Sequence, residues 1–429
     1  MTPGSSDGKG ELTAGSGSLS SVAYRSGSRT APSLPLSLDT NGMIQRWRRP
    51  ASRTFRLAVL LAGVASLLLL LLLLLQQQLL PLLPPLLSTC SWPLVSDNGV
   101  RQSGAGVPSA LLWTMMRSGS RLTQHLLAAH PCTFLTEEPL RGRLIEGLNA
   151  SLGVLQNFLS CRISAHPDLV TQWINGSHLN DDRVREACRA YPALCWDGAL
   201  LEAMCTASCF RLVRVAAQGL SVALALLQDH SFNTHVVHLV RDPRGMISSR
   251  RDLQGGRFEK FYADGRGAFF TEEEMDVAIL CQRYQHDLAV ATHLTRNNPD
   301  RYTLVRYEDL ALRPRVELRR LYAFLGLPYT ARVATTVSKH TLGVFAVEWD
   351  EHPYATRKNS NKIVFAWRRR LPFSEVDRIQ QECGDVLRAY GYRHFTRRQY
   401  EEGQDSPLMP LPPPWTASGH GHGGDDGGD

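Results

Sequence analysis

The chain has 429 residues, 43% of them hydrophobic, and a net charge of +7 at pH 7. Its length leaves room for two domains, although the two ends account for much of it. The basic excess suits an anionic ligand. In a chain of the secretory pathway it favours phosphorylated donors and acidic glycans over nucleic acid.

The N-terminal region predicts a membrane anchor. Residues 1–42 are rich in Ser, Gly, Thr and Pro, which is typical of a disordered tail. Leu57–Leu75 is almost wholly apolar and ends in nine consecutive leucines. A helix of that length, at about 1.5 Å per residue, covers the ~30 Å hydrocarbon core of a bilayer. A cleaved signal peptide is the alternative, but its apolar region is normally shorter and nearer the start.

The flanking charges predict the orientation. Several arginines precede the apolar run, and no Lys or Arg follows it until Arg101. The positive-inside rule then places residues 1–56 in the cytoplasm and the bulk of the chain in the lumen. Met43 is an alternative start. Two glycosylation sequons, at Asn149 and Asn175, agree with a lumenal location.

All nine cysteines follow the apolar run. The clustered ones, Cys161, Cys188, Cys195, Cys205 and Cys209, match no zinc-finger or zinc-ribbon spacing, so disulfides are favoured over a metal site. The odd number leaves at least one thiol free or paired between chains, and a homodimer is compatible with that count.

The remaining chain divides into a Pro-containing stem at 76–108, a folded domain at 109–397 and a disordered tail at 398–429. Four segments are strand-like: Ala110–Met116, Cys132–Leu135, Thr234–Val240 and Tyr302–Val305. Five are helical in pattern: Leu122–Ala129, Leu212–Gln228, Asp276–Arg296, Arg315–Phe324 and Phe373–Tyr390. This alternation predicts an α/β fold with a mainly parallel central sheet.

Two turns join an apolar strand to a helix in a way that suits phosphate. The first turn follows Ala110–Met116 and reads Arg117-Ser118-Gly119-Ser120, where small residues let backbone N–H groups surround an anion. It lacks the Lys and the glycines of a Walker A loop, and a capped helix start is the alternative.

The second turn follows Val236–Val240 and reads Arg241-Asp242-Pro243-Arg244. Arg241 at the strand end and Ser249 about two helical turns further on can converge on one phosphate, which Arg binds bidentately. The alternative is an Asp-Pro helix start with surface arginines. Two such turns in one domain suggest a nucleotide that carries phosphate at two places.

With these motifs the chain resembles the Golgi carbohydrate sulfotransferases, particularly those that sulfate the 6-hydroxyl of galactose, N-acetylgalactosamine or N-acetylglucosamine. The resemblance covers roughly residues 110–396 and is weakest between 140 and 230. Its collinear motifs are RSGS at 117–120, TEEPL at 136–140, LVRDPRGMISSR at 239–250, RYEDL at 306–310, YAFLGLP at 322–328 and the segment 365–392.

The resemblance implies a P-loop-like three-layer fold, a single type II transmembrane helix in the Golgi membrane, and binding of 3′-phosphoadenosine 5′-phosphosulfate (PAPS) without a metal. It implies these contacts to the 5′-phosphosulfate: Arg117, Ser118, Gly119, Ser120, Arg121 and Leu122. Arg241 and Ser249 would bind the 3′-phosphate, with Arg357 and Lys358 as further cations or, equally, as surface charges.

Sulfuryl transfer passes through a loose in-line transition state, so positioning and charge stabilisation dominate. Arg117 is predicted to be the cation on the bridging oxygen, and Glu138 the base that takes the proton of the sugar hydroxyl. Glu137 next to it leaves the register open, and His125 and His130 are weaker alternatives.

The sequence departs from the family pattern in two places. Arg121 replaces a small hydroxyl residue, and Arg141-Gly142 replaces an aromatic-His pair near the acceptor. The prediction is therefore an enzyme that transfers sulfate from PAPS to a sugar of a glycan or proteoglycan. A catalytically silent glycan-binding relative and, without the Walker lysine, a lumenal P-loop kinase are the alternatives.

Overall fold

The structure is a computed structural model that describes part of the chain. The described residues are 57, 60–71, 106–140, 147–167, 182–194, 197–216, 218–254, 270–343 and 356–415. The predicted cytoplasmic tail 1–56, most of the stem, the Asn175 sequon and residues 416–429 lie outside them.

The chain divides into two units, residues 1–75 and 76–429. In the first, residues 60–71 are helical and exposed. Across the described residues, no helix is both long and apolar enough to cross a membrane. Part of the predicted anchor, including 72–75, lies outside those residues.

The second unit is built on a sheet of five parallel strands in the order β2-β3-β1-β4-β5. The strands are β1 (Ser109–Thr114), β2 (Thr133–Glu137), β3 (Phe210–Val215), β4 (Thr234–Val240) and β5 (Tyr302–Arg306). β1 and β4 are buried along almost their whole length because both faces of a parallel sheet are covered. The predicted α/β fold with a mainly parallel sheet is confirmed.

Fifteen α-helices are described in the second unit, and they connect or follow the strands. In chain order they are α1 (Ser120–Leu127), α2 (Leu148–Leu159), α3 (Asp182–Ala190), α4 (Gly198–Thr206), α5 (Ser221–Leu227), α6 (Pro243–Gln254), α7 (Glu272–Met275), α8 (Val277–Asn297), α9 (Tyr307–Leu312), α10 (Pro314–Phe324), α11 (Ala331–Thr341), α12 (Ser360–Ile363), α13 (Phe373–Glu382), α14 (Gly384–Ala389) and α15 (Arg397–Glu402).

Two hydrophobic cores lie on opposite faces of the sheet, which gives three layers. Leu111 and Trp113 of β1 face a core shared with α2, α5, α8 and α13. Ala110 and Leu112 face the other core, shared with α1, α10 and α11. Successive side chains of one strand therefore pack into different layers, as the pleat of a strand requires.

Among the described residues, the disulfides Cys161–Cys205 and Cys281–Cys383 join segments of the second unit that are distant in sequence. Cys383 also marks the break between α13 and α14, where the sequence predicts one helix over Phe373–Tyr390. Disulfides agree with the prediction for these cysteines.

One predicted helix is wrong in its first half. The segment Leu212–Gln228 contains β3 up to Val215, and α5 begins only at Ser221. The run Phe210–Val215 is short and combines four apolar residues with two arginines, so periodicity alone does not separate a buried strand from a helix. Pairing with β1 and β2 decides for a strand.

The predicted tail also differs from the structure, since residues 398–415 are folded. They comprise α15 and a segment that returns to the domain, where the Trp415 indole N–H donates to the Ala389 carbonyl at 2.7 Å. The Arg306 guanidinium donates to the Met409 carbonyl at 2.8 Å. Prolines in this segment indicate an irregular backbone, and side-chain anchors hold it against the domain.

Candidate functional site

The first turn lies at the carboxyl end of β1, where the chain enters α1. Arg117 has φ 71° and Gly119 has φ 94°. Two left-handed residues in one short loop reverse the backbone sharply, and the Ser118 amide donates to the Met115 carbonyl at 3.3 Å. A positive φ at a bulky residue such as Arg117 is costly, and such residues cluster where a site requires them.

Gly119 is required at its position for two reasons. Its φ of 94° favours glycine, and a Cβ there would lie 2.2 Å from the ring of Tyr307. Tyr307 begins α9, directly after β5, so a motif from the far end of the domain closes over the first turn.

The second turn lies at the carboxyl end of β4, beside that of β1. Asp242 and Arg244 form a fully buried ion pair with N–O distances of 2.8–3.2 Å. The Arg244 guanidinium also stacks 4.6 Å from the Trp367 ring centroid. The interpretation of this turn as a helix start with surface arginines is therefore wrong for Arg244, whose role is to hold the turn in place.

The two turns contact each other directly. The Arg117 Nε donates to the Ser249 Oγ at 3.1 Å, and the Arg241 guanidinium donates to the Arg117 carbonyl at 2.7 Å. The Arg241 guanidinium also stacks over the Tyr307 ring at 4.5 Å. The sequence predicted that Arg117, Arg241 and Ser249 serve one ligand, and the structure brings these three together at the edge where ligands of open parallel sheets bind.

A buried polar atom at this junction fits an anion. Within the described part of the chain, the Arg241 Nε is buried without a hydrogen-bond partner. Since buried donors are normally satisfied, this N–H suits an acceptor such as a phosphate oxygen. The residues present therefore fit a phosphate-bearing group.

The acidic motif lies at the carboxyl end of β2. Glu137 is the last residue of the strand, and its side chain is 1% exposed between Gln124 and Arg214. Glu138 leaves the strand with φ 46°, and its side chain is 11% exposed. The position of Glu138 at the strand end, with access to solvent, favours it over Glu137 as the base.

Arg214 of β3 is the residue of this region that the sequence interpretation missed. Its guanidinium lies 3.1 Å from the Ser120 Oγ, 2.9 Å from a Glu138 carboxylate oxygen and 3.3 Å from a Glu137 carboxylate oxygen. The signal available was the short run Phe210–Val215, most of which falls within the helix predicted over Leu212–Gln228.

The other predicted donor contacts are placed less directly. The Leu122 side chain packs into the core beneath α1, so only its backbone can face an anion. Arg121 is half-buried on the first turn of α1, where it extends the basic surface of that turn. Arg357 and Lys358 follow Thr356, whose hydroxyl bonds the His340 ring nitrogen at 2.7 Å. Their contact with a 3′-phosphate stays a prediction.

The alternative bases are histidines of low basicity. Burial, with His340 and several arginines nearby, holds the pKa of His125 well below its usual value. Burial also lowers the pKa of His130. A lowered pKa makes each histidine a weaker base than an ordinary imidazole, and both stay alternatives to Glu138.

Glu308 supports the second turn and makes its stability depend on pH. Its carboxylate accepts from the Asp242 amide at 3.1 Å and the Tyr392 hydroxyl at 2.9 Å. Burial, and then the charge of Asp242, raise the pKa of Glu308 from 4.5 to about 7. The folded state thus binds the proton more tightly than the unfolded chain, and this stabilisation is complete below pH 4.5 and lost as the pH rises through about 7.

Replacing Glu308 with Gln is expected to flatten that dependence. Between pH 5 and 8 the free energy of unfolding of the unaltered chain should fall more than that of Glu308→Gln, by on the order of 3 kcal/mol at 1.36 kcal/mol per pKa unit. Urea unfolding at a series of pH values measures the difference. The exposed Glu382→Gln serves as control, and parallel curves for the two variants would contradict the expectation.

Comparison with known proteins identifies relatives over the folded unit. A family model described as "Sulfotransferase family" matches residues 110–331. Human carbohydrate sulfotransferase 6 is 28% identical over 335 residues, which cover 70% of this chain and 85% of that protein. Human carbohydrate sulfotransferase 1 is 33% identical over 174 residues, which cover 39% of this chain and 41% of that protein.

A solved structure, the sulfotransferase domain of the Synechococcus PCC 7002 olefin synthase, aligns with 69% of this chain and 98% of that domain, at 18% identity and a TM-score of 0.39. The family match spans both turns, the acidic motif and Tyr307, which are the elements that meet in the structure.

Proposed function

The chain belongs to the sulfotransferase family, and we propose that it transfers the sulfuryl group of PAPS to a sugar hydroxyl, the 6-hydroxyl of galactose, N-acetylgalactosamine or N-acetylglucosamine, in a glycan or proteoglycan. Because it belongs to this family, the chain is an enzyme. The sugar acceptor is supported by the named relatives, which are carbohydrate sulfotransferases.

The observation that carries the donor site is the junction of the two turns. The Arg117–Ser249 and Arg241–Arg117 hydrogen bonds join an arginine at the end of β1 to an arginine at the end of β4. In the proposal, Arg117 with Ser118, Gly119 and Ser120 holds the 5′-phosphosulfate, and Arg241 with Ser249 holds the 3′-phosphate. PAPS supplies the activated sulfuryl group and leaves as 3′,5′-ADP.

The residues of the site divide the chemistry between them. The acceptor oxygen forms a bond to sulfur while the bond between sulfur and the bridging oxygen breaks. Arg117 stays charged at every physiological pH and stabilises the charge that develops on the leaving phosphate. Glu138 takes the hydroxyl proton as the acceptor attacks.

The location proposed is the Golgi membrane, with a type II anchor at 57–75 and a lumenal domain. The apolar run, the arginines before it and the disulfides of the second unit support it. Asn149 of the first sequon is exposed on α2. A homodimer is part of the proposal, and light scattering of the purified chain tests it.

A transfer assay tests the proposed function. The purified full-length chain is expected to move labelled sulfate from PAPS to glycans that end in galactose, N-acetylgalactosamine or N-acetylglucosamine. Arg241→Gln should raise the KM for PAPS about 10- to 100-fold, as expected for the loss of charged hydrogen bonds worth about 1.5–3 kcal/mol. Arg388→Gln, which alters an exposed arginine of α14, is the control.

The alternatives predict different results. Tight binding of 3′,5′-ADP without transfer to any acceptor would favour a silent glycan-binding relative. Turnover of ATP would favour a kinase, although the first turn has no Walker lysine.

A further inference from the structure

Arg214 connects the donor turn to the acidic motif. It lies on β3, the strand between β1 and β2, and it is 5% exposed. One guanidinium nitrogen donates to the Ser120 Oγ at 3.1 Å, and the other lies 2.9 Å from Glu138. The Glu138 amide donates to the Arg214 carbonyl at 2.8 Å, so main chain and side chain both tie Glu138 to this residue.

The charges make this position unusual for a purely structural arginine. Arg214 lies at the N-terminus of α1, where the helix dipole disfavours a cation and favours an anion. Two carboxylates, Glu137 and Glu138, surround this one guanidinium. A buried cation is tolerated only when it is paired, so the carboxylates hold Arg214 at the turn, and Arg214 in exchange holds the carboxylates.

The two carboxylates are held differently. Glu137 receives a second hydrogen bond, from the Gln124 amide of α1, and its side chain is 1% exposed. Glu138 follows the strand end with a left-handed backbone and is more exposed. Glu137 therefore anchors Arg214, and Arg214 orients Glu138.

We propose that Arg214 is a positioning residue for sulfuryl transfer, which fixes the Glu138 carboxylate relative to Ser120 of the donor turn. This rests on the proposed function, in which Ser120 contacts the phosphosulfate and Glu138 accepts the proton. The base and the sulfuryl group must approach the same acceptor oxygen, and a misplacement of about 1 Å costs on the order of 10²-fold in rate. The Arg214 guanidinium binds Ser120 through one nitrogen and Glu138 through the other, and it thereby sets the separation between them.

The test is a double-mutant cycle on kcat in the full-length chain. Arg214→Gln is expected to lower kcat by about 10²-fold, with the KM for PAPS and the affinity for 3′,5′-ADP changed less than about threefold. Because Arg214 acts through Glu138, the double variant with Glu138→Gln should be no slower than Glu138→Gln alone. Added guanidinium ion should restore part of the kcat of Arg214→Gln and none of that of the double variant.

Arg211→Gln is the matched control, since Arg211 lies on the same strand with its side chain towards the opposite face and donates to the Leu159 carbonyl. Loss of Arg214 leaves two carboxylates without their cation and can prevent folding. Arg214→Lys then carries the test, because it keeps the charge but cannot span both partners; it should fold, bind 3′,5′-ADP and still lose most of its kcat.

Each outcome separates this inference from the function it depends on. Full kcat in folded Arg214→Gln or Arg214→Lys, with Glu138→Gln inactive, overturns the inference and leaves the base intact. Additive losses in the double variant also overturn it, since Arg214 would then act independently of Glu138. Full activity of Glu138→Gln overturns the proposed base itself.

Discussion

Replacing Glu138 with Gln is expected to lower kcat by about two to four orders of magnitude, the range typical of a lost general base. The change removes the proton acceptor but keeps the size and shape of the side chain. The amide can still contact its neighbours, so affinity for 3′,5′-ADP should stay within a few-fold. Steady-state kinetics with a sulfate acceptor and calorimetric titration with 3′,5′-ADP measure the two quantities.

Comparison with the neighbouring carboxylate, Glu137, shows whether the loss of kcat is specific to Glu138. Glu137 and Glu138 are adjacent in sequence, but Glu137 is enclosed between Gln124 and Arg214, and Glu138 is more exposed. Glu382→Gln, at the exposed end of α13, controls for the loss of one negative charge. Should Glu137→Gln stop turnover in a folded protein while Glu138→Gln does not, the assignment of the base is wrong.

Replacing Gly119 with Ala is the second change with a large expected effect. The left-handed backbone costs an L-residue about 1–2 kcal/mol. The added Cβ would also lie 2.2 Å from the Tyr307 ring, and overpacking of this kind costs about 1–3 kcal/mol. The ring must move, and the Arg241 guanidinium that stacks on it at 4.5 Å must move with it.

We therefore expect Gly119→Ala to lower the melting temperature and to weaken 3′,5′-ADP binding by about 10²-fold, the effect of two displaced charged contacts. Gly153→Ala is the matched control because Gly153 lies within α2 with nothing within 4 Å of its added Cβ. Alanine there should leave stability unchanged or raise it by about 0.5–1 kcal/mol. Unchanged nucleotide affinity in Gly119→Ala would show that the turn does not contact the donor.

Much of the fold could be predicted from the sequence because local patterns were clear. Thr234–Val240 is rich in β-branched residues and is bounded by Asn233 and Arg241, and its predicted bounds are those of β4. The helix predicted over Asp276–Arg296 differs from α8 by one residue at each end, since Asp276 caps it by accepting from the Ala278 and Ile279 amides. Such elements carry their own start and stop signals.

The elements that were wrong lacked local signals and depend on tertiary pairing. The composition of Phe210–Val215 fits both a strand and a buried helix turn. Pairing with the neighbouring strands β1 and β2 decides that it is a strand. Residues 398–415 contain prolines and polar residues, which predicts disorder. They are nevertheless bound to the domain, since the Arg306 guanidinium donates to the Met409 carbonyl and the Trp415 indole donates to the Ala389 carbonyl. No window of sequence contains these contacts.

The sequence by itself determined the family, the parallel α/β class and the two turns that carry Arg117 and Arg241. These follow from short contiguous motifs, whose spacing a strand-turn-helix geometry dictates. The tertiary structure alone decided that Arg117 bonds Ser249, that Tyr307 closes on Gly119, and that Arg214 joins Ser120 to Glu138. Those contacts join residues up to 188 positions apart, between Gly119 and Tyr307, and only the order of the parallel strands brings them to one edge.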